Sequence, residues 1–339
     1  MTHKIAIIGA GPAGLLCALD SHLANLDVTL IGPPSATCPA MVLAIHPKHL
    51  QYLRSLGLSL DATLVENMAL DVYQNNITLS TKYQQQEALC YIIRYDQLLR
   101  ELTKQISKLD IKWLQATASV LNSHTLTVNG ETHHYDSLAV CDGAHSKTKK
   151  ALGVSSKLHH YQQTALVGLV SHTHPLRFAY QKFRDTGTLA LLPTQNAHQS
   201  ALIWSIDNQS LLLIETLGLK NQLQKQTSKV GKILAIDHQH QIPLMAIQAD
   251  HYFYESTFFL GSSLHHIHPL AGIGFNLTIR DIQCFVKTQS LKQDGSFYRN
   301  QRMHAHHKAH LLTHYLANQR KMGMKIANLS ILSKVLQSP

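Results

Sequence analysis

The sequence predicts an α/β fold in which a parallel, Rossmann-like sheet is interleaved with an antiparallel sheet and followed by C-terminal helices. Three observations carry this expectation. The chain opens on a buried strand that runs straight into Gly9-Ala-Gly11-Pro12-Ala13-Gly14. Between residues 163 and 247 strand-like apolar runs follow one another closely, as in an antiparallel sheet. From residue 296 to 339 the pattern is helical and contains no Asp or Glu.

Ile5 to Ile8 are four consecutive apolar residues, which suits a parallel strand covered on both faces. In the turn that follows, Gly9 allows the tight bend, Gly11 lets backbone approach a pyrophosphate, and Gly14 lets the next helix pack closely on the strand. Residues 15–19 begin that helix, whose first N–H groups face the phosphates. Residues 28–31 are a second strand and complete a βαβ unit. Residues 47–56 read as a helix, 69–83 as strand, and 95–109 as an amphipathic helix with Leu98, Leu99, Leu102, Ile106 and Leu109 on one face. Short strands are expected at 111–114, 116–121 and 125–128, with Asn129-Gly130 as a hairpin turn. A buried strand at 138–140 ends in Cys141-Asp142-Gly143. Runs at 165–170, 188–192, 201–206 and 211–215 read as strands of the second sheet, 221–234 as a helix, and 258–260 as a strand. The longest helix is expected at 298–320. The nucleotide part would comprise residues 1–67, 90–160 and 250–295, the second-sheet part 68–89 and 161–249, and a helical segment 296–339.

The 339 residues are 45% hydrophobic, ordinary for a globular protein, and no run reaches the ~18 apolar residues of a membrane span. The start of the sequence reads as a strand and not as a signal segment, so a cytoplasmic protein is expected. Cys17, Cys38, Cys90, Cys141 and Cys284 show no Cys-x-x-Cys spacing and read as reduced thiols. The net charge is +10 with 24 histidines, yet no nucleic-acid-binding motif accompanies it, and no nucleic-acid partner is expected. Arg299, Arg302, Lys308, Arg320, Lys321, Lys325 and Lys334 make the end of the chain basic. This is either a solvated face or a peripheral contact with a membrane or an assembly partner. His265, His266 and His268 have no adjacent acid or Cys and fit no closed metal site. His306, His310 and His314 share a helical face, which reads as a histidine-rich surface; no metal is expected.

Three segments, in this order and spacing, resemble the FAD-dependent aromatic hydroxylases of the p-hydroxybenzoate hydroxylase class: residues 9–18, residues 138–149 around Asp142-Gly143, and residues 261–281 with Gly261-Ser262, Pro269, Gly272-Ile273-Gly274-Phe275-Asn276 and Arg280-Asp281. The third segment, with residues 180–193 and Trp204, is most similar to the ubiquinone-biosynthesis hydroxylases. The resemblance implies bound FAD, NAD(P)H as electron donor, and hydroxylation of a hydrophobic phenol by O2 through a hydroperoxyflavin. The substrate would carry a polyprenyl tail or lack one. Gly9, Gly11, Pro12, Ala13, Gly14, Arg94, Asp142 and Gly143 would bind the pyrophosphate end of FAD, and the Asp142-Gly143 pair would also support binding of the reduced nicotinamide. Gly261 and Ser262 would meet the ribityl chain, and Pro269, Gly272, Ile273, Gly274, Phe275 and Asn276 would run beside the flavin ring. No nucleophile or general base is implied, because the cofactor carries the chemistry. The substrate pocket would lie around Phe183, Leu191, Leu192 and Trp204.

Four positions depart from the family pattern. Gly32 stands where an acid would bind the adenosine ribose, Ser262 replaces an Asp, Ile273 replaces a Gln, and Met41 replaces an Arg. Two readings follow from them: an active hydroxylase with loosely held FAD, or a non-catalytic relative serving as a lipid-binding or scaffold subunit. A plain NAD-dependent dehydrogenase shares the opening turn but leaves the segments at Asp142 and Gly261 without a role.

Overall fold

The computed structural model describes residues 3–74, 77–84, 88–184, 186–269 and 272–318. The chain starts as read: β1 (Lys4–Ala10), α1 (Pro12–Leu23) and β2 (Asp27–Pro34) form the first βαβ unit. Next come β3 (Val42–Ile45), α2 (Pro47–Ser55), β4 (Thr63–Val65), β5 (Asn67–Gln74), β6 (Ile77–Gln84), β7 (Cys90–Arg94) and α3 (Tyr95–Ile106). They are followed by β8 (Lys112–Leu114), β9 (Ala118–Val120), β10 (Thr125–Val128), β11 (Glu131–His134), β12 (Ser137–Val140) and α4 (Lys147–Ala151). The second sheet uses β13 (Ser156–His172), β14 (Ala179–Arg184), β15 (Gly187–Pro193), β16 (Gln199–Asp207), then α5 (Asn208–Leu217), α6 (Leu219–Gln226) and β17 (Ile233–Ala249). The chain returns through β18 (Phe253–Tyr254), β19 (Thr257–Phe259), a 3-10 turn (Gly261–Ser263), β20 (His265–His266), α7 (Gly274–Ser290) and α8 (Gly295–Asn318).

The first sheet has the order β18-β19-β12-β1-β2-β8, with β19, β12, β1, β2 and β8 mutually parallel. Its apolar centre, Ile5, Ile7 and Leu30, packs on Leu15, Leu16 and Leu19 of α1 and on Ile282 and Phe285 of α7. The second sheet has eight strands, β20-β17-β13-β16-β15-β14-β5-β6, antiparallel except where β14 runs parallel to β5. Parallel strands need long connections, and here the chain between β5 and β14 contributes β8 and β12 to the first sheet. This is why the two sheets are interleaved and not strung in series. The boundary expected at residue 160 falls inside β13, which is one continuous strand from Ser156 to His172.

Three local expectations are corrected. Residues 211–215 are not a strand but lie in α5, because the Asp207 carboxylate accepts from Ser210 N and caps the helix, and Gly218, with φ +84°, ends it. The helix expected at 221–234 stops at Gln226 in α6, and Ile233 already begins β17. The residues expected to share a substrate pocket do not share a face: Phe183 lies in the cluster that meets α8, whereas Leu191 and Trp204 lie in the cluster beneath α5 and α6. Alternate residues of a strand point to opposite faces, so one sheet cannot line one pocket with all of them. Among the described residues no helix is long and apolar enough to cross a membrane. The five cysteines are free thiols.

Candidate functional site: a dinucleotide groove

The three glycine-containing segments converge at the start of α1. A Cβ on Gly9, whose φ is +107°, would stand 2.5 Å from Cys141 O, so the first turn and the end of β12 touch through backbone. A Cβ on Gly14 would overlap the Gly9 carbonyl oxygen, which shows how tightly α1 sits on β1. A Cβ on Gly261, φ +58°, would press on Thr278 of α7 at 3.0 Å and would lie 3.5 Å from Ala13. The third segment therefore closes the groove from the other side of the α1 N-terminus.

The groove fits a pyrophosphate. No side chain caps the α1 N-terminus at Gly11, so its first N–H groups are left for a ligand. A Cβ on Gly11 would touch only Ser35 Oγ, at 3.5 Å, and a Cβ on Gly143 would meet nothing within 4 Å. Asp142 lies against the first turn, its Cα 2.9 Å from where a Cβ on Gly9 would stand. Its Oδ2 accepts from Thr148 N at 3.2 Å, while its buried Oδ1 has no partner. A buried acceptor left unpaired costs about 1–3 kcal/mol, and a donor from a bound ligand would remove that penalty. Ser262 makes no hydrogen bond with the described residues, whereas its neighbour Ser263 is buried and bonds Val140 O at 2.6 Å.

Other expected contacts are arranged differently. Arg94 forms two hydrogen bonds with Asp96, at 2.9 and 2.6 Å, and Arg100 joins the same carboxylate at 2.7 Å. Burial pushes the Asp96 carboxyl up, but the bonds from Arg94 and Arg100 outweigh it and hold the pKa below the ordinary range. Arg94 pairs in register with Val42, next to Met41, so a cation does stand beside the position where the family arginine is missing. Asn276 uses its amide within the protein. Its Oδ1 accepts from His46 N at 2.9 Å and from His49 Nδ1 at 2.8 Å, and its Nδ2 donates to Ala44 O and Gly272 O. It fastens the Gly272 loop to β3 instead of presenting a side chain to a ligand. Pro269 is exposed, and Ile273 is buried against Ile267 and Leu277. Gly272 has φ +61°, and a Cβ there would come 2.9 Å from Ala44 Cβ. Phe275 is partly buried against the core of the first sheet.

At position 32 the missing acid has a backbone cause. Gly32 has φ +146°, a Cβ would stand 3.0 Å from Ala10 N, and its carbonyl accepts from Trp113 Nε1 at 2.9 Å. The chain bulges here between the first two strands.

Sequence reasoning missed a buried ionic cluster behind the third segment. Asp281, fully buried, accepts from His265 Nε2 at 2.6 Å, Arg302 Nε at 2.7 Å and His306 Nε2 at 2.8 Å. Burial would raise the Asp281 carboxyl, but His306, His265 and Arg302 outweigh it and hold it well below the usual range. Burial in turn pushes His306 down to about 4. His265, Asp281 and His306 are close enough to share a metal ion. However, the Arg302 guanidinium occupies the same Asp281 oxygen as His306, and a second cation there would be repelled. The expected histidine-rich surface is thus corrected at His306, which faces inward, and Arg302 leaves the basic surface for the same reason. The acid of Arg280-Asp281 was visible in the sequence, but its partners lie 16 to 25 residues away.

A strand–turn–helix cradle open at its phosphate end, on a parallel sheet joined to a second antiparallel sheet, defines a dinucleotide-binding α/β fold. Residues 2–288 match the family described as FAD binding domain, and the chain belongs to that family. The chain is similar to ubiquinone hydroxylase UbiM of Neisseria meningitidis, 25% identical over 316 residues, covering 84% of this chain and 68% of that protein. It is also similar to the ubiquinone biosynthesis monooxygenase COQ6 of Danio rerio, 25% identical over 267 residues, covering 61% of this chain and 54% of that one. The chain thus spans about half to two thirds of the length of these relatives. Among solved structures, PqsL of Pseudomonas aeruginosa superimposes over 100% of both chains, with a TM-score of 0.79 at 15% identity. A 2-methyl-3-hydroxypyridine-5-carboxylic acid oxygenase gives 0.76 at 14% identity, covering 98% of this chain and 96% of that one. At these identities the likeness is one of fold.

Proposed function

We propose that this protein is an FAD-dependent monooxygenase that hydroxylates the ring of a hydrophobic phenol resembling a ubiquinone precursor, with NAD(P)H as reductant. The observation that carries the reading is the convergence of the Gly9–Gly14 turn, Asp142-Gly143 and Gly261-Ser262 on one uncapped helix end, with a buried Asp142 oxygen that has no partner among the described residues. In this reading Gly11, Ala13 and Gly14 hold the FAD pyrophosphate through backbone N–H groups. Asp142 and Gly143 shape the turn beside it, Ser262 meets the ribityl chain, and Gly272 to Gly274 pass beside the ring. FAD supplies the redox and oxygen chemistry when bound. The protein binds, orients and keeps water out.

The substrate surface in this reading is the sheet face that meets α8. Tyr161, Ala165, Phe183 and Leu244 lie there with Ile267 and Ile273 of the third segment. Tyr161 is buried and its hydroxyl has no partner among the described residues, so a phenolic oxygen reaching it would satisfy it. A lipid-soluble substrate also supports a peripheral membrane or assembly contact through Arg299, an exposed cation of α8.

The test is the visible spectrum of the purified protein titrated with FAD. A flavin spectrum that shifts on binding, and is lost in Asp142→Ala, supports the reading. A protein that stays colourless at saturating FAD leaves the non-catalytic scaffold in its place. With FAD bound, Tyr161→Phe should raise the KM for a phenolic substrate and leave FAD affinity unchanged.

A further inference from the structure

A cavity of about 230 Å³ lies between β3, α2, β7, α7 and α8. Its polar lining is Arg280, Lys308, His304, His46, His49 and Asn276, and no Asp or Glu lines it among the described residues. The rest of the wall is apolar, including Ile273, Leu277 and Ala305. Arg280 is the anomaly. It is half-buried, and it makes no hydrogen bond or ion pair with any described residue. The acid next to it in sequence, Asp281, is already bonded to His265, Arg302 and His306. The sequence beyond Asp294 holds no Asp or Glu that could neutralise the cluster. Leaving a half-buried guanidinium unpaired beside a lysine is unfavourable unless an anion joins them. The N-terminus of the nine-residue helix α2, at His46, adds its partial positive charge to the same wall.

We propose that this cavity binds a phosphate-bearing ligand, with the phosphate on Arg280 and Lys308 and the attached sugar or ring against Ile273, Leu277 and Ala305. The source we assign is the reduced nicotinamide dinucleotide, an assignment that rests on the proposed function. Two facts favour it over free phosphate. The apolar wall and the volume exceed what an inorganic phosphate needs. In addition, Ile273 and Asn276 belong both to this cavity and to the loop expected beside the flavin, so a donor anchored here borders its acceptor. The Gly9–Gly14 turn is a cradle for one dinucleotide, and the donor's phosphates need other cations.

The experiment is calorimetric titration of NADP+, NAD+ and inorganic phosphate into the FAD-loaded protein and into the apoprotein. Parallel titrations use Arg280→Gln, Lys308→Gln and the conservative Arg280→Lys. NADP+ should bind wild type at one site. Either neutralising variant should weaken it about ten- to a hundredfold, the loss of one charge-assisted contact, with partial recovery in Arg280→Lys. Lys308 is exposed, so Lys308→Gln tests the site without threatening the fold. Inorganic phosphate that binds and responds to the same variants, with no dinucleotide binding, would overturn the donor assignment. Dinucleotide affinity equal in wild type and both variants would overturn the site. FAD binding is read from the flavin spectrum of the same samples, so failure of the FAD reading is seen separately from failure of this one.

Discussion

Replacing Asp281 by Asn removes one charge and one acceptor from the centre of the buried cluster. Asp281 has no exposed surface, and its two oxygens receive three donors: His265 on Oδ2, and Arg302 with His306 on Oδ1. An asparagine keeps a single oxygen, so either His265 or the Arg302–His306 pair faces an NH2 group that cannot accept. Arg302, itself 2% exposed, loses its counter-ion in either orientation. Breaking a buried pair by removing one partner costs about 3–5 kcal/mol, which is a large share of the ~5–15 kcal/mol stability of a folded domain. Urea denaturation followed by the fluorescence of Trp113 and Trp204 measures the loss. The double substitution Asp281→Asn with Arg302→Met should recover part of it, because it removes the guanidinium left buried without a counter-ion while an oxygen remains for the histidines. A loss below about 1 kcal/mol in Asp281→Asn would refute the reasoning and mean that the cluster is hydrated or already uncharged.

Gly14→Ala should abolish FAD binding or folding, since its Cβ would overlap the Gly9 carbonyl; a yellow, stable variant would contradict the packing of α1 on β1. Ser262→Asp should tighten FAD about tenfold or more by restoring a charged hydrogen bond to the ribityl chain, read as a lower Kd in a flavin titration. Gly32→Glu, which sequence alone would favour as a restored ribose ligand, should instead lower the melting temperature, because φ +146° and a Cβ 3.0 Å from Ala10 N leave it strained. Stability should fall in acid. His306, neutral in the fold with its pKa lowered to about 4, takes up a proton near 6.5 only when unfolded, so folding stability rises with pH across that window. The difference is about 3 kcal/mol for this group. His306→Gln should flatten the profile between pH 4 and 6.5, as read from urea midpoints.

The parts legible in the sequence were those with a local signature. The Gly9–Gly14 turn, the buried runs of β1, β2 and β12, and the amphipathic face of α3 each follow from residues close in the chain. The corrected parts depend on distant partners. Leu211 to Leu213 look the same in a strand or a helix, and only the Asp207 cap and Gly218 decide between them. Periodicity placed His306, His310 and His314 on one face, but which way that face turns depends on Asp281 in α7. The residues around Trp204 were recognisable as sheet, yet the side of the sheet that meets α8 is a tertiary fact. Ile233 to Ala249 carries the polar run Asp237-His-Gln-His-Gln241, which hides a strand whose polar side chains are exposed.

The arrangement of charges around the groove decides how FAD would be held. A pyrophosphate brings two negative charges, and the cations nearest the expected contacts are engaged elsewhere. Arg94 is bonded to Asp96, and Lys149 Nζ donates to Ser263 O at 2.8 Å. The acids that would bind the ribose and the ribityl chain are Gly32 and Ser262. What remains is the uncapped end of α1, worth about half a unit charge, with Asp142 and Gly143 beside it. Asp96 therefore competes with the phosphates for Arg94. In Asp96→Asn the charge pairing is weakened and Arg94 is released toward Met41, the position it already neighbours. FAD should then bind more tightly, although the protein loses two half-exposed ion pairs, to Arg94 and Arg100, each worth about 1 kcal/mol or less. A flavin titration in which Asp96→Asn binds FAD no better than wild type would show that Arg94 has no part in the phosphate site, and that backbone dipoles alone carry the cofactor.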